Sequence, residues 1–300
     1  MMLPMLKRLP ISLLARLPVR LSGTCLLCRI ILVALLTCSM AEANDPEGFQ
    51  PPANVSANMM WSFILAENAV NENLSRIGSE LSNASHDLGE SGIEGKASEQ
   101  VLEKLLRMDT SQIDIITVGR NGTVMEVMPD SYQSIKGANI GDQGQIKELF
   151  ASKVGTGYDF IKTIEGSDAL NIAEPVFDEQ GQLFGAVSIL INASDLFHRT
   201  LAPFQPSTGN AKLWIMQAEN GRVLYDTDAS QIGLTLSDPV YQSFPQLLEL
   251  GRRVSRERTG FGTYEFFDQD HRKTIKKGVY WTTLANPGVE IRLLLTVELD

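Results

Sequence analysis

The chain has 300 residues, of which 43% are hydrophobic and 21% are charged, a composition that allows two ordinary domains and excludes a disordered chain. Its formal net charge is −10, and beyond residue 43 it is −14, because the first 43 residues hold five cations and one acid. A surface this acidic repels nucleic acids and anionic lipids, so no nucleic-acid partner is expected.

The first 43 residues have the layout of a secretory signal peptide. Five cations lie within residues 1–29, an apolar run follows at Ile30–Thr37, and Ala41-Glu42-Ala43 forms a small-x-small cleavage pattern. The apolar run is too short for a transmembrane helix, which needs about 20 residues. We therefore predict export and cleavage before Asn44. The sequence up to Cys38 also resembles a lipoprotein cleavage box, so a lipid anchor at Cys38 stays open as an alternative.

The cysteines and the glycosylation motifs bear on the same compartment. All three cysteines, Cys25, Cys28 and Cys38, lie before residue 44, so the rest of the chain has no disulfide framework, thiolate nucleophile or cysteine zinc site. N-x-S/T sequences begin at Asn54, Asn73, Asn83, Asn121 and Asn192. They are consistent with export, although asparagine and serine in turns account for them equally well.

A linker at residues 44–53 leads into a helical segment at residues 54–107. Over Asn54–His86, apolar residues recur at three- and four-residue steps, which predicts a long amphipathic helix. Its stripe comprises Met60, Phe63, Ala66, Val70, Leu74, Ile77 and Leu81. A homodimer through this stripe and packing on the chain's own domain are equally weighted interpretations. Glycines at 89–92 are predicted to end the helix, and a shorter helix is predicted at Ala97–Arg107.

Residues 108–200 are predicted to form a first α+β module. The β-branched run Ile113–Val118 is typical of a strand, and Asn121-Gly122 is typical of a hairpin turn because both residues tolerate positive φ. Further strands are predicted at Val124–Met128, Tyr158–Ile164, Leu170–Phe177 and Leu183–Ile191, and a short helix at Gly144–Lys153.

Residues 201–300 repeat this order and form the second predicted module. A second hairpin turn, Asn220-Gly221, lies 99 residues after the first. Strands are predicted at Lys212–Gln217, Arg222–Tyr225, Thr263–Phe267, Lys276–Thr282 and Glu290–Glu298, and a helix at Tyr241–Arg256. A repeat of about 100 residues indicates two homologous units. The predicted fold is therefore α+β: a long N-terminal helix followed by two modules, each a five-stranded antiparallel sheet flanked by helices.

Local motifs over residues 54–300 resemble the double Cache family of extracytoplasmic sensor domains. The first module carries Pro175-Val-Phe-Asp-x-x-Gly-x-Leu-x-Gly-Ala-Val187, and the second carries Asn220-Gly-x-Val-Leu-Tyr-Asp226 and Gly260-x-Gly-x-Tyr-x-Phe266. The second half is most similar to Cache proteins of methanogenic archaea. The resemblance implies PAS-like modules, the first distal and the second proximal to the membrane, with a small-molecule ligand in the first.

The chain departs from the pattern of this family in two respects. The Arg-x-Trp-aromatic run of the amino-acid-binding subtype has no counterpart in this sequence. Family receptors continue through a transmembrane helix into a signalling domain, and this sequence contains no second hydrophobic span and no kinase, cyclase or methyl-accepting segment. We therefore expect a sensory module that lacks its own output domain.

No motif in the sequence predicts an enzyme. G-x-S-x-G, H-E-x-x-H and phosphate-binding glycine loops are missing. His86, His198 and His271 are scattered and are expected at the surface, and no cofactor or metal is predicted. Asp226-x-Asp228 could hold calcium, but it lacks the glycine and distal glutamate of an EF-hand loop, so a capped turn is the favoured interpretation.

The candidate ligand site is predicted in the first module. Polar or amphipathic side chains near the positions that line a Cache pocket are Tyr132, Lys136, Tyr158 and Glu174. Three glycines that let the backbone approach a ligand lie nearby, at Gly137, Gly141 and Gly144. We expect a small organic ligand, neutral, zwitterionic or carrying a carboxylate or amine, held partly by Lys136.

The second module is predicted to be filled by side chains at the equivalent place. Its apolar residues there are Ile232, Leu234, Leu236 and Pro239, a pattern that predicts packed core. Trp214 and Trp281 lie in strand patterns and are expected in the core as well, rather than as stacking platforms.

Taken as a sequence, the chain favours an extracytoplasmic small-molecule-binding sensory module that is not an enzyme. Its partners would be a small organic metabolite, a second copy bound through the N-terminal helix, and a membrane-bound receptor or transporter. Two alternatives stay open: a secreted or lipid-anchored solute-binding protein for a transporter, and an envelope structural protein with a vestigial pocket. The neighbouring genes would separate a sensory partner from a permease.

Overall fold

The computed structural model describes residues 55–108, 111–155, 159–162, 168–207, 210–268, 272–285 and 288–299. The predicted signal peptide and linker, all three cysteines, and the single residues Asn54, Tyr158 and His271 lie outside the described residues. No helix within the described ranges is long and apolar enough to cross a membrane.

A 35-residue helix, α1 (Ala57–Ser91), opens the described chain. Ser56 caps it by accepting a hydrogen bond from the backbone N–H of Met59 at 3.2 Å, and Gly92, with φ of 92°, follows its last turn. Its buried residues are Met59, Phe63, Ala66, Val70, Leu74, Ile77, Leu81, Ala84 and Leu88. The predicted stripe is confirmed, with Met59 rather than Met60 at its start.

The first module contains a five-stranded antiparallel sheet in the order β2-β1-β5-β4-β3. Its strands are β1 (Gln112–Gly119), β2 (Val124–Met128), β3 (Asp159–Lys162), β4 (Asp168–Phe177) and β5 (Leu183–Asn192). Its helices are α2 (Lys96–Leu106), α3 (Gly144–Ser152) and α4 (Ala193–Leu201). The Asn-Gly turn joins β1 to β2, as the sequence predicts.

The second module repeats this topology with a second five-stranded antiparallel sheet, in the order β7-β6-β10-β9-β8. Its strands are β6 (Ala211–Gln217), β7 (Val223–Tyr225), β8 (Gly260–Phe267), β9 (Thr274–Thr283) and β10 (Ile291–Glu298). Its helices are α5 (Pro239–Gln242) and α6 (Pro245–Arg256). The predicted fold class and the internal repeat are confirmed, because the last strand of each module pairs between its first and its fourth.

The stripe of α1 lies inside the core of the chain itself. The helix contacts β4, β5, α4 and β10, and its buried residues share one hydrophobic cluster with Ile115 and Ile189 of the first sheet and Leu213 and Leu293 of the second. Of the two interpretations of the stripe, packing within the chain is the one observed. A homodimer through this helix stays a prediction and would have to use residues outside the stripe.

Each sheet also has a second buried face, turned away from this shared core. In the first module, Ile116 and Val118 of β1 pack there with Leu149 of α3. In the second module, the residues on that face are Met216, Tyr264, Phe266, Val279, Trp281 and Leu294, which cluster with Tyr241, Leu250 and Val254 from α5 and α6. Strand residues alternate between the two faces, so the sheet separates the shared core from a space beneath α6.

Two helix predictions need correction. The single helix predicted at Tyr241–Arg256 is wrong, because Pro245 has no N–H to donate and instead occupies the first turn of a new helix, α6. Helix α4 was not predicted, although its start carries a recognisable signal. The Asn192 side chain accepts a hydrogen bond from the backbone N–H of Asp195 at 3.0 Å, which is an ordinary N-cap.

Candidate ligand site

A cavity of about 580 Å³ lies in the second module, between the sheet and the segments that cover it. The floor is formed by β6, β8, β9 and β10, and the roof by α6 and the loop that follows β7. Such a volume is within the range of small-molecule sites, roughly 300–1,000 Å³.

One half of the cavity is apolar. Its walls include Trp214, Met216, Val279 and Leu294 from the sheet and Leu236, Leu247, Leu250 and Val254 from the roof. Leu236 lies against two glycines, Gly221 and Gly251, where an added Cβ would clash with its side chain. Gly221 also has φ of 71°, a backbone conformation that favours glycine. These glycines therefore set the position of a side chain that lines the cavity.

The other half of the cavity is polar because the register aligns polar side chains at one end of the sheet. Lys277 of β9 lies directly opposite Tyr264 on β8 and Glu298 on β10. One step along β10, Thr296 lies opposite Lys212 on β6. Side chains directly opposite each other on one face lie close enough to interact, so a single patch gathers these five residues.

Lys212 is paired within this patch. Its ammonium lies 2.7 and 2.9 Å from the two carboxylate oxygens of Asp226, which is itself buried. Asp226 also accepts a hydrogen bond from the backbone N–H of Asp228 at 2.8 Å. The charges of Lys212 and Asp226 are therefore neutralised by contacts inside the protein.

Lys277, unlike Lys212, has no ion pair within the described residues. Only 6% of the residue is exposed, and its ammonium lies 5.8 Å from the centre of the Phe266 ring. Burial, and then the nearby charge of Lys212, lower the pKa of Lys277, while Glu298, Asp226 and Asp268 oppose that shift. Within the described residues, no hydrogen bond or ion pair engages its ammonium.

The tyrosines and Thr296 add neutral polar groups. The Tyr241 hydroxyl donates to Gln231 Oε1 at 2.9 Å, and the Trp214 indole N–H donates to Thr296 Oγ1 at 2.8 Å. Burial raises the pKa of both Tyr241 and Tyr264. Both phenols therefore stay protonated at physiological pH and can serve as neutral hydrogen-bonding groups.

The acidic turn beside the cavity is held by its own hydrogen bonds. Asp228 caps the short 3₁₀ helix Ala229–Gln231 by accepting from the backbone N–H of Ser230 at 3.0 Å. This is the capped turn that the sequence favours over a calcium loop. Within the described residues, no group of three or more histidine, cysteine, aspartate or glutamate side chains is arranged to hold a metal ion.

The residues predicted as the first-module site occupy separate environments. Tyr132 lies half-buried in the 3₁₀ helix Asp130–Ile135, and the Lys136 ammonium lies 2.5 Å from Oε2 of the buried Glu126. Glu174 lies on β4, where burial raises the pKa of its carboxyl and a Cβ on Gly155 would clash with it.

Among the described residues, no hydrogen bond joins these predicted site residues to one another, and Tyr158 lies outside the described residues. The Lys136 charge is already neutralised by Glu126. A ligand site built from these residues stays a prediction.

The expectation that the second module is filled by packed core is wrong. Leu236 lines the cavity, Ile232 and Leu234 are half-buried, and Pro239 is exposed. The apolar run forms part of a cover over the cavity. Core placement is confirmed for Trp281, which is 2% exposed, and is wrong for Trp214, which is half-buried on the cavity wall.

The sequence carried only a weak signal for this site. Lys212, Thr296 and Glu298 each lie between apolar neighbours along a strand, which is also the pattern of a solvent-facing sheet surface, and Lys277 lies between Lys276 and Gly278. Only the packing of α6 against the sheet shows that this face is covered. The roles of these residues therefore depend on contacts between distant parts of the chain.

Comparison with known proteins gives a partial family match. Residues 72–193 match a family model described as "HK/GC/Chemotaxis protein-like, sensor domain". The matched segment begins within α1 and ends at the first residue of α4, so it includes the whole first sheet. A search of curated proteins found no match.

Solved structures share the fold across most of the chain. An extracellular ligand-binding receptor from Desulfohalobium retbaense is 23% identical with a TM-score of 0.66, and the match covers 81% of this chain and 41% of that one. The ligand-binding domain of the Pseudomonas fluorescens chemoreceptor CtaA, in complex with L-serine, is 18% identical with a TM-score of 0.55, covering 78% of this chain and 92% of that domain.

A third structure is the ligand-binding domain of the Pseudomonas aeruginosa amino acid chemoreceptor PctB, in complex with L-Gln. It is 17% identical with a TM-score of 0.55, covering 81% of this chain and 91% of that domain. These likenesses show that the chain has the fold of chemoreceptor ligand-binding domains. The chain spans less than half of the length of the Desulfohalobium receptor.

Proposed function

We propose that the chain is an extracytoplasmic sensory module that binds a small organic molecule in the cavity of its second module. The observation that carries this proposal is the cavity of about 580 Å³, with an apolar half and a patch of polar side chains at its other end. Sites for small organic molecules combine an apolar wall with a few polar groups in this way.

The comparisons support a sensory role in three respects. Part of the chain matches a sensor-domain model, the fold is that of chemoreceptor ligand-binding domains, and the matched Desulfohalobium protein is an extracellular receptor. The CtaA and PctB domains are complexed with amino acids, which supports a small metabolite as the ligand class. The particular resemblance to archaeal Cache proteins stays a prediction.

The proposal includes a partner, because binding must be converted into a signal. We propose that a membrane-bound receptor or transporter detects the ligand-bound chain and that the chain has no catalytic role. A solute-binding protein for a transporter is the second candidate function. No residue of the described structure favours a structural role in the envelope over binding, since the cavity is open space with apolar and polar walls rather than filled core.

A metabolite screen by thermal shift tests this proposal, because a ligand specific for the folded state raises the melting temperature. The test variant is Leu247→Trp, which enlarges a half-buried residue of the cavity roof. The matched control is Leu248→Trp, since Leu248 is a half-buried neighbour on the same helix that packs in the surrounding cluster and does not line the cavity.

We expect compounds that raise the melting temperature of the wild type and of Leu248→Trp by several degrees, with the shift lost in Leu247→Trp. Hits that persist in Leu247→Trp would place binding elsewhere and contradict the proposal. A broad screen with no hit would contradict it as well.

A further inference from the structure

We propose that the ligand of the second-module cavity is an organic monocarboxylate with an apolar body, and that Lys277 binds its carboxylate. This inference rests on the proposed function and goes beyond it by assigning the chemistry of the ligand.

Lys277 is a largely buried cation whose ammonium has room for a ligand group. Only 6% of the residue is exposed, and within the described residues its ammonium has no hydrogen-bond or ion-pair partner. Its ammonium lies 5.8 Å from the centre of the Phe266 ring, and the charges of Lys212, Glu298, Asp226 and Asp268 act on it from a longer range than an ion pair. An ammonium that is largely shielded from bulk water and lacks a hydrogen-bonding partner in the protein is costly, and an anionic ligand group would reduce that cost.

Most of the other charged side chains around the cavity are engaged by contacts within the protein. Asp226 is paired with Lys212, Asp228 caps a 3₁₀ helix, and Asp268 accepts hydrogen bonds from the backbone N–H groups of Arg272 and Lys273. Glu298 lies opposite Lys277 on β10, and no ion pair of 4.0 Å or less joins the two. Of the two lysines that line the cavity, Lys277 is therefore the one without an ion pair in the described structure, and it is available to bind an anionic group of a ligand.

The excess of acidic side chains around the cavity limits the ligand to a single negative charge. Four acids line the cavity, Asp226, Asp228, Asp268 and Glu298, against two lysines. A phosphate ester at neutral pH would bring a second negative charge into an acidic surrounding and would find no second uncommitted lysine. A carboxylate brings one charge, which Lys277 neutralises.

The polar and apolar ends of the cavity define how such a ligand would be oriented. Lys277 lies at the polar end of the floor, beside Tyr264 and Thr296. These two side chains are hydrogen-bonded to each other, which leaves one hydroxyl proton for a second carboxylate oxygen. From that end the cavity extends over Val279 and Leu294 toward Leu247 and Leu250 in the roof. A carboxylate at Lys277 would therefore direct the rest of its molecule into the apolar half.

The affinity of such a ligand should depend on pH with a defined sign. The groups facing the Lys277 ammonium are Tyr264 and Phe266 from β8, Glu298 and Thr296 from β10, Lys212 from β6, Asp226 after β7 and Asp268 after β8. Burial and Lys212 lower the pKa of Lys277, so raising the pH discharges it before an exposed lysine. Carboxylate affinity then falls on the alkaline side of neutrality.

Calorimetric titration with matched acids and amides tests the inference. The probes are hexanoate, benzoate and 3-phenylpropionate, their primary amides, and phenyl phosphate, each titrated into the mature wild-type chain. Lys277→Met and Lys277→Gln are titrated in parallel, with folding checked by thermal melting. Methionine keeps an unbranched apolar side chain close to the length of the lysine stem, and glutamine keeps a shorter, polar and uncharged one.

We expect at least one acid to bind about tenfold or more tightly than its amide and than phenyl phosphate, a preference that both Lys277 variants lose. The acid should also bind more weakly at pH 10 than at pH 7 in the wild type, with no such decrease in Lys277→Met. Equal binding of acid and amide, or undiminished acid binding in both variants, overturns the inference.

The outcome also separates this inference from the proposed function. Neutral compounds that bind in a Leu247-dependent way, with every acid failing, overturn the carboxylate assignment and leave the cavity as the binding site. Failure of every compound to bind in a Leu247-dependent way contradicts the cavity as a site and the assignment of Lys277 together.

Discussion

At the residue scale, Lys277 is the position where folding and binding make opposite demands. It lies on β9, an interior strand of the second sheet, with 6% exposure, where an apolar side chain would avoid the cost of burying a charge. Residues that break a local rule without compensation in the folded chain occur mainly at functional sites. Burying this charge would cost folding free energy if the residue belonged only to the core, and a role in ligand binding accounts for its position.

This cost predicts that removing the charge stabilises the empty protein. We expect Lys277→Met to raise the free energy of unfolding at pH 7 by about 1 kcal/mol, measured by urea denaturation. The pKa of Lys277 is lowered in the folded state, so the unfolded state binds more protons as pH rises above that lowered value.

The contribution of Lys277 to stability should therefore increase between its lowered pKa and the ordinary pKa of lysine. The advantage of Lys277→Met should shrink over the same alkaline range. A variant that is less stable than wild type at pH 7 would show that the ammonium has a stabilising partner.

At the element scale, the turn after β6 couples backbone geometry to the cavity. Gly221 has φ of 71°, and a Cβ there would clash with Leu236, which lines the cavity. Gly181, which is exposed in the turn between β4 and β5, has a similar φ of 73° and open space around it. The two glycines share the same backbone requirement and differ in the side-chain contact.

We expect Gly181→Ala to cost about 1 kcal/mol through backbone strain alone, and Gly221→Ala to cost about 1–2 kcal/mol more because Leu236 has to move. Urea denaturation of both variants measures the difference. Equal losses would mean that Leu236 shifts freely and that the turn does not fix the cavity roof.

Helix α1 allows a second test at the element scale. Leu81 is fully buried in the shared core, whereas Leu65 on the same helix is 45% exposed. We expect Leu81→Ala to reduce the free energy of unfolding by about 3 kcal/mol and Leu65→Ala by less than about 0.5 kcal/mol. A small effect at Leu81 would contradict the placement of the stripe inside the chain.

The same helix bears on the predicted homodimer. Because the stripe is already buried, the large apolar side chains of α1 that remain exposed are Trp61, at 48%, and Leu65, at 45%. Sedimentation of the mature protein is expected to show a dimer whose dissociation is insensitive to Leu81→Ala. A monomer at high micromolar concentration would contradict the dimer.

The fold was predictable from the sequence because its signals are local. The stripe of α1 has a helical period, both Asn-Gly turns require positive φ at their glycine, and the strands have β-branched or alternating patterns. The site was not predictable in the same way. Lys277 lies beside Tyr264 and Glu298 only because the strands pair across the sheet. Leu236 is a residue type typical of a core, although it lines the cavity.

At the scale of the whole molecule, processing is the first expectation to check. The basic, apolar and small-residue order of the first 43 residues predicts cleavage. Protein recovered after export should begin at Asn44, or at a lipid-modified Cys38, when its N-terminus is sequenced. An intact N-terminus on protein recovered from the membrane would contradict the signal peptide.

The central claim is that the second module, rather than the first, holds the ligand. The most direct test is a calorimetric titration of one screened compound into wild type, Leu247→Trp and Lys136→Ala. Leu247 borders the second-module cavity, whereas Lys136 belongs to the predicted first-module site and pairs with Glu126. We predict that Leu247→Trp abolishes binding and that folded Lys136→Ala binds with wild-type affinity. Binding that survives Leu247→Trp and is lost in Lys136→Ala would contradict the claim and place the ligand in the first module.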